Sequence, residues 1–525
     1  MAASFPATGG LFPLIFIAFA PVIWFNIDIN STEKWRFLKR FVGNYLFAIT
    51  FNVAATWWIK NASLEGALMA FLANSLLMTF PFFFFGFFTR ILGRTKGIIS
   101  LIVLWISFEH IHHQWDLSWP WLSFGNAFGS QPWLIQWYEY SGIQGGTLWV
   151  LIVNVLIFFI LRNILIRKEK LSIQTPIFIG LVLTVTVPVL SSVFIYSTYK
   201  EEINPFKITI VQPNLNPWNS DFTGPGVKFT TSTSSQIERM LDMVDEKVDD
   251  NTGFVLFPET ALSSYMDEAV LDNLGVIYKL RKFSRSKASV PIFIGADTYG
   301  LFKTKRPFPA IKKSTYWIEN YNTALLIDTD KPIDVYHKSK LVLGVEKLPF
   351  VDFLPFLAKW SVSLGGTAGI LVENKDPKNF APKGVKSAPL ICYESVYGEY
   401  VTQFTKMGAE LLCVITNDGW WGDTPGYKQH LTFSQIRAIE NRRSLARSAN
   451  TGISCFINQR GDIEQMLDWN VEGVISQEIN RNLEITFYVR YGDLLGRISE
   501  FLLIGIFLMA ISNHIRRKKQ ISKET

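Results

Sequence analysis

APLICYESVYGE, residues 388–399, stays apolar through Ile391, then turns abruptly to Cys392, Tyr393 and Glu394 and a turn-like Ser-Val-Tyr-Gly. A β-type run that stops on a thiol puts that thiol at a strand end, where a side chain can enter a cleft. Two stretches upstream end the same way. GFVLFPE (253–259) opens into FPETALSSY with Glu259, and IDVYHK (333–338) opens into YHKSKLVLGVE with Lys338 and Glu346. A carboxylate, an ammonium and a thiol together suit acyl transfer through a thioester. The carboxylate takes the thiol proton, the thiolate attacks a carbonyl, and the ammonium stabilises the oxyanion. The three residues are far apart in the chain, so only a fold can unite them.

Around this water-loving segment the chain reads as a membrane protein. Its 525 residues are 49% hydrophobic and 15% aromatic, and its mean hydropathy is positive, which together favour membrane spans joined to a sizeable soluble part. Apolar runs lie at 10–27, 43–59, 67–89, 97–113, 146–161 and 175–197, with a seventh at 495–513. Most reach the roughly 20 residues a helix needs to cross the hydrocarbon core. The expected organisation is a helical bundle over 1–200, an α/β domain over 206–490, a last span over 495–513, and a basic tail over 514–525.

Charge supplies an orientation. Lys34, Arg36, Lys39 and Arg40 fill the loop 28–42; Arg90, Arg94 and Lys96 the loop 90–96; Arg162, Arg167, Lys168 and Lys170 the loop 162–174. The alternate loops carry almost none: Lys60 is alone in 60–66, and 114–145 has no Lys or Arg. The positive-inside rule makes the basic loops and the tail cytoplasmic and puts the N-terminus and the 206–490 domain outside. The net charge of +7 is therefore a topology signal, and its division among short loops argues against a nucleic-acid partner. The first apolar run has no basic residue before it, which argues against a cleaved signal peptide.

Cys413 (AELLCVIT) and Cys455 (TGISCFI) sit inside apolar strand-like runs and read as core. With no CxxC or His/Cys cluster, no metal site is expected. His110, His112 and His113, beside Trp115 at a span end, read as an interfacial belt.

FPE, YHK with a later Glu, and CYE resemble the Glu–Lys–Cys signatures of the nitrilase superfamily. TNDGWWGDTPGYKQH (416–430) and QIRAIENRRSLARSANTGIS (435–454), with WPWLSFGNAF (119–128) ahead of GIQGGTLWVLIVN (142–154), are similar to one membrane-embedded branch, the bacterial apolipoprotein N-acyltransferases. The resemblance runs over nearly the whole chain. It implies an αββα sandwich facing the periplasm from the inner membrane. It also implies a multi-pass enzyme without a cofactor that moves an acyl chain from a phospholipid to the amine of a diacylglyceryl-cysteine lipoprotein; the oligomeric state is left open, with a monomer the expectation. Glu259 matches the general base, Lys338 the oxyanion-stabilising lysine, Cys392 the nucleophile, Glu346 a further glutamate, and Tyr393 and Glu394 the supporting shell. By the same resemblance Trp420 and Trp421 line the cleft near the thiol. A further family tryptophan has no aligned equivalent here, and Trp218, three residues early, is expected to serve the same loop; Asn417, Asp418 and His430 are given a positioning or packing role.

Two departures from the family pattern stand out. MAASFPATGG (1–10) leads straight into what resembles the family's second span, which reads as a shortened start. LVLGVE (341–346) replaces the usual LVPFGE. The aromatic stretch 347–370, with Phe353 and Phe356, reads as an arm over the cleft that dips into the lipid and admits acyl chains. A membrane-anchored amidase using the same triad is the competing expectation; a scaffold without catalysis is disfavoured by the intact Glu, Lys and Cys.

Overall fold

Each of the seven apolar runs is helical in the computed structural model, which describes residues 1–29, 34–218, 228, 231–350 and 371–524. Four helices are long and apolar enough to cross a membrane: Leu64–Leu92, Tyr138–Leu165, Ser172–Thr198 and Leu494–Arg517, with Phe12–Asp28 a shorter apolar helix. Arg36–Thr56 and Arg94–His112 occupy the remaining two places. Both carry basic residues in their first turn and buried polar groups further along, among them Asn44, Asn52 and Glu109.

The chain divides into two units. The helical one comprises Met1–Trp57, Leu68–Thr198 and Tyr491–Thr525. Several polar groups inside it are matched to one another, as a low-dielectric interior favours. The first helix breaks at Phe19, just before Pro21, and the freed N–H groups of Phe19 and Ala20 both donate to Asn154 Oδ1 at 2.9 Å. Asn154 Nδ2 returns a hydrogen bond to the Ile15 carbonyl at 2.8 Å. Glu109 accepts from Trp105, the Phe124 amide and Thr147. His110 and His112 are buried and engage Glu500 and Asn74; they pack within the helices, because each ring has a polar partner there, and form no exposed belt.

The second unit, Trp58–Ala67 with Tyr199–Arg490, is α/β. Its strands are β1 Pro205–Gln212, β2 Thr252–Leu256, β3 Leu262–Asp267, β4 Ile292–Phe302, β5 Ile311–Lys312, β6 Trp317–Ile327 and β7 Asp334–His337. They continue with β8 Ser387–Ile391, β9 Leu411–Thr416, β10 Leu445–Ala449, β11 Ser454–Ile457, β12 Ile463–Leu467 and β13 Gly473–Asn480. One sheet runs β13-β1-β2-β4-β6-β5, with β3 on β4 and β7 on β6; the other runs β12-β11-β10-β9-β8. Each contains a parallel trio, β1-β2-β4 and β8-β9-β10, and parallel neighbours need crossover helices. Thr233–Val244 and Gly275–Ser286 serve the first trio, Gly398–Lys406 and Pro425–Asn441 the second.

The amphipathic helix Thr233–Val244 sinks Ile237, Met240 and Val244 against Val211 and Val255 of the first sheet. The strands of both trios are buried throughout their central residues. The sheets meet face to face, with Ser448 of β10 donating to the Val211 carbonyl of β1 at 2.8 Å. The result is the expected αββα sandwich. In parallel α/β sheets, functional side chains collect beyond the carboxyl ends of the strands, and Glu259, Cys392 and Asp418 all lie there.

Candidate active site

Glu259 follows β2 by three residues, on a turn whose next residue, Thr260, holds φ 48°. That turn crosses β4 so closely that a Cβ at Gly295 would stand 2.6 Å from the Glu259 Cα; only glycine fits. Lys338 leaves β7 with its amide donating to the Asn322 carbonyl at 2.8 Å. The preceding His337 stacks on Tyr321 at 3.9 Å and hydrogen-bonds Glu268, so the strand end is held from both sides.

Lys338 Nζ lies 3.1 Å from Glu259 Oε1 and 2.9 Å from Glu346 Oε1. Asn322 Nδ2 donates to the same two oxygens, at 2.8 and 3.2 Å. Glu346 Oε2 also accepts from the Val342 amide. The lysine is fully buried. Burial alone favours its neutral form, but Glu259 and Glu346 outweigh that and hold its pKa well above the ordinary value. It is therefore a fixed cation, unable to act as a base and suited to face a developing negative charge.

Cys392 stands at the end of β8 with φ 50°, followed by a short 3-10 turn, Cys392–Val396, and the helix from Gly398. Non-glycine residues avoid this backbone region, so the surrounding structure must enforce it. Burial pushes the thiol's pKa up. Glu259 and Asp418 add to the effect, while Lys338 and the Thr416 hydroxyl beside the sulfur oppose it. The resting sulfur is thus a thiol within electrostatic reach of both Glu259 and Lys338.

Glu394 ties these pieces together. Its Oε2 accepts from the Ile391 amide at 2.7 Å, and its Oε1 accepts from the Ser339 amide at 2.7 Å and from Tyr336. One carboxyl group thereby joins the residue before Cys392 to the residue after Lys338. Burial raises its pKa to about 7, against the pull of those hydrogen bonds. Tyr393 is buried and packs edge-on against Tyr397 at 5.2 Å.

Behind the thiol, His430 Nε2 lies 3.2 Å from the Cys392 carbonyl and its Nδ1 2.9 Å from Asp418. Arg447 donates to Asp418 Oδ2 at 2.6 Å. Burial opposes ionisation of Asp418, but Arg447 and His430 overcome it and hold its pKa at about 2. Trp421 meets His430 edge-on at 5.5 Å and Trp58 at 4.8 Å, and Asn61 donates to the Trp421 carbonyl. Trp218 and Trp420 meet perpendicularly at 5.1 Å.

The structure therefore brings Glu259, Lys338, Glu346, Cys392 and Glu394 into one cluster and pairs Trp218 with Trp420. Phe353, Phe356 and most of the 347–370 arm lie outside the described residues. Sequence reading missed Asn322, Asp297, Lys228 and Arg447. Lys228 reaches the Glu259 carbonyl at 3.0 Å and the Thr260 hydroxyl, and burial lowers its pKa to about 8. Asp297 in β4 is buried, which raises its pKa to about 7. A charged residue amid β-type apolar runs, as in LARSA, was the available signal for Arg447.

A buried cysteine at a strained strand end, opposite a carboxylate–ammonium pair in an αββα sandwich, defines a nitrilase-type domain. Residues 207–486 match the Carbon-nitrogen hydrolase family, and the chain belongs to that family. Residues 1–156 match the Apolipoprotein N-acyltransferase N-terminal domain, which places it in the membrane-embedded branch. Similar relatives are the apolipoprotein N-acyltransferases of Chlorobaculum tepidum (26% identical, covering 93% of this chain and 89% of that one) and Geobacter metallireducens (26%, 94% and 90%). Among solved structures, an amidase of the nitrilase superfamily from Nesterenkonia AN1 aligns over 57% of this chain and 99% of its own, at 14% identity and a TM-score of 0.37.

Proposed function

We propose that this protein is an apolipoprotein N-acyltransferase whose Glu259, Lys338 and Cys392 pass an acyl chain from a phospholipid to the N-terminal amine of a diacylglyceryl-cysteine lipoprotein. One observation carries the reading: a Lys338 ammonium shared by Glu259 and Glu346 within reach of the Cys392 thiol, in a chain that also bears the membrane domain of that branch.

In the first half-reaction Glu259 takes the thiol proton as Sγ attacks the ester carbonyl carbon of the phospholipid. The oxyanion forms beside Lys338. Collapse breaks the ester C–O bond, and the leaving lyso-phospholipid oxygen takes the proton from Glu259. In the second, the lipoprotein amine attacks the thioester and gives a proton to Glu259. The C–S bond breaks, and the thiolate is reprotonated by Glu259. The products are an amide and the free thiol. Glu394 and Glu346 act as positioning residues, and Trp218, Trp420 and Trp421 offer aromatic surface to substrate. The charge of the loops supports a periplasmic location for this chemistry, at the bacterial inner membrane.

Incubation of the purified protein with phospholipid tests the proposal. Lyso-phospholipid should appear together with a mass gain of one acyl chain on the peptide bearing Cys392, and the gain should vanish on adding a diacylglyceryl-cysteine peptide. Release of ammonia from small amides, with no acyl-enzyme from lipid, is the result that would replace this reading with an amidase.

A further inference from the structure

The helical unit contains a groove that the chemistry at Cys392 does not use. Its volume is 1190 Å³, above the roughly 300–1,000 Å³ of a small-molecule pocket. Its described lining residues all belong to the helical unit, between Ile27 and Arg94. One end is basic: Arg36, Arg40, Arg90 and Arg94 line it, against Asp28 as the one acidic lining residue among those described. The rest is apolar. Phe80, Phe83 and Phe87 form a strip along one helix face with about half of each ring exposed, and Phe37 meets Phe83 edge-on at 5.4 Å.

Two features go beyond loops that are merely basic. Arg36 and Arg94 are the first residues of helices of 21 and 19 residues, neither of which has a side-chain hydrogen bond capping its N-terminus. A cation at the positive end of a helix dipole is misplaced unless an anion joins it. Arg40, one turn further on, is turned inward. Its Nη2 donates to the Asn26 carbonyl at 2.9 Å, and a Cβ at Gly86 would stand 2.5 Å from its Nη1. The glycine in PFFFFGFF thus makes room for a guanidinium against an otherwise aromatic helix. Arg40 Nε is buried and has no hydrogen-bond partner among the described residues.

From these we infer that the groove binds a phospholipid with an anionic headgroup, its phosphate held by Arg36, Arg40 and Arg94 and its chains lying along Phe37, Phe80, Phe83 and Phe87. The loop charges put this end of the bundle at the cytoplasmic leaflet, so the lipid is a bound structural ligand and not the acyl donor.

The test is native mass spectrometry of the full-length, delipidated protein with dioleoyl phosphatidylglycerol. Wild type should retain one lipid at least tenfold more than it retains phosphatidylcholine of the same chains, and millimolar inorganic phosphate should not displace it. Arg36→Gln combined with Arg94→Gln should lower retention about tenfold. Gly86→Ala, which keeps every charge and only displaces Arg40, should lower it several-fold while lyso-phospholipid release continues. Equal retention of the two lipids by wild type, displacement by phosphate, or unchanged retention in the Gly86→Ala protein would each overturn the inference. If the double arginine variant does not fold, the Gly86→Ala protein decides alone.

Discussion

The two sheets of the α/β unit are built alike and loaded differently. Each has a parallel trio under crossover helices, and each delivers reactive groups from the carboxyl ends of its strands. The β1-β2-β4 side carries the charge: Glu259, Lys338 and Glu346, knotted by Asn322 into a cluster that compensates itself. The β8-β9-β10 side carries a sulfur that burial keeps protonated, braced by His430, Asp418 and Arg447. On the proposed mechanism neither wall is reactive alone. By that mechanism the base and the cation neutralise each other until a carbonyl arrives, and the thiol loses its proton only as that carbonyl is attacked.

Removing the sulfur breaks the comparison most completely. Cys392→Ala should lower acyl transfer by at least about 10⁴-fold, since it removes the sulfur that the proposed thioester needs. Lyso-phospholipid release is the measurement, and an unchanged melting temperature should accompany the loss. Transfer at wild-type rate would sink the thioester route.

Next come the charges on the opposite wall. Glu259→Gln keeps an acceptor for Asn322 and Lys338 but removes the base, and should cost about 10²–10⁴-fold in acylation rate. Lys338→Met removes the oxyanion's partner, for about 10²–10³-fold. It also leaves Glu259 and Glu346 facing each other unpaired, which costs stability by about 3–5 kcal/mol. Rate and chemical denaturation measured together separate the two effects.

How much of this was legible beforehand follows from the same division. Glu259, Lys338 and Cys392 could be read because each interrupts an apolar run, and strand ends show in a single chain as a change of composition. The membrane helices could be read from length and apolarity, and the sandwich from resemblance. Asn322 could not: it sits inside β6, where a polar residue is ordinary pleat alternation, and only the fold turns it toward Glu259 and Glu346. The break at Phe19 was hidden for a related reason, since the group that repairs it, Asn154, is 135 residues away. The place of Trp58–Ala67 was equally hidden. Only 60–66 of these reads as a loop, with Trp58 and Ala67 at the ends of the flanking apolar runs, yet all group with the α/β unit, where Trp58 packs on Trp421 and Asn61 binds its carbonyl.

The brace behind the thiol should matter for stability more than for rate. Asp418→Asn strands a fully buried Arg447 and should cost about 3–5 kcal/mol, with acylation slowed far less than by Glu259→Gln. The sign with pH follows from its depressed pKa. Asp418 titrates at about 2 in the folded protein and near 3.9 unfolded. Its contribution is therefore present above pH 4 and is lost as pH falls toward 2. The gap in melting temperature between wild type and Asn variant should shrink across that window, and a constant gap would remove Asp418 from the brace.

Glu394 should behave in the opposite sense. Its pKa is raised to about 7 by burial, so the folded protein holds a proton that the unfolded chain releases near 4.3. Stability then falls as pH rises from about 4.3 to 7, by roughly 3 kcal/mol. Glu394→Gln should flatten that part of the stability profile even though it sacrifices one amide acceptor, and an undiminished slope in the Gln variant would assign it elsewhere.

The smallest expected effect sharpens the comparison best. Cys413 lies inside β9 of the same sheet, and burial raises its thiol pKa as it does that of Cys392. Neither Glu259 nor Lys338 acts on it; Ser387 is its polar neighbour. Cys413→Ala should therefore cost only about 1 kcal/mol for the small void left and leave acyl transfer within twofold. Iodoacetamide should label Cys392 in the folded protein and spare Cys413. Were both to react alike, a strand end and a neighbouring carboxylate would not be what makes one buried cysteine a nucleophile and leaves the other as core.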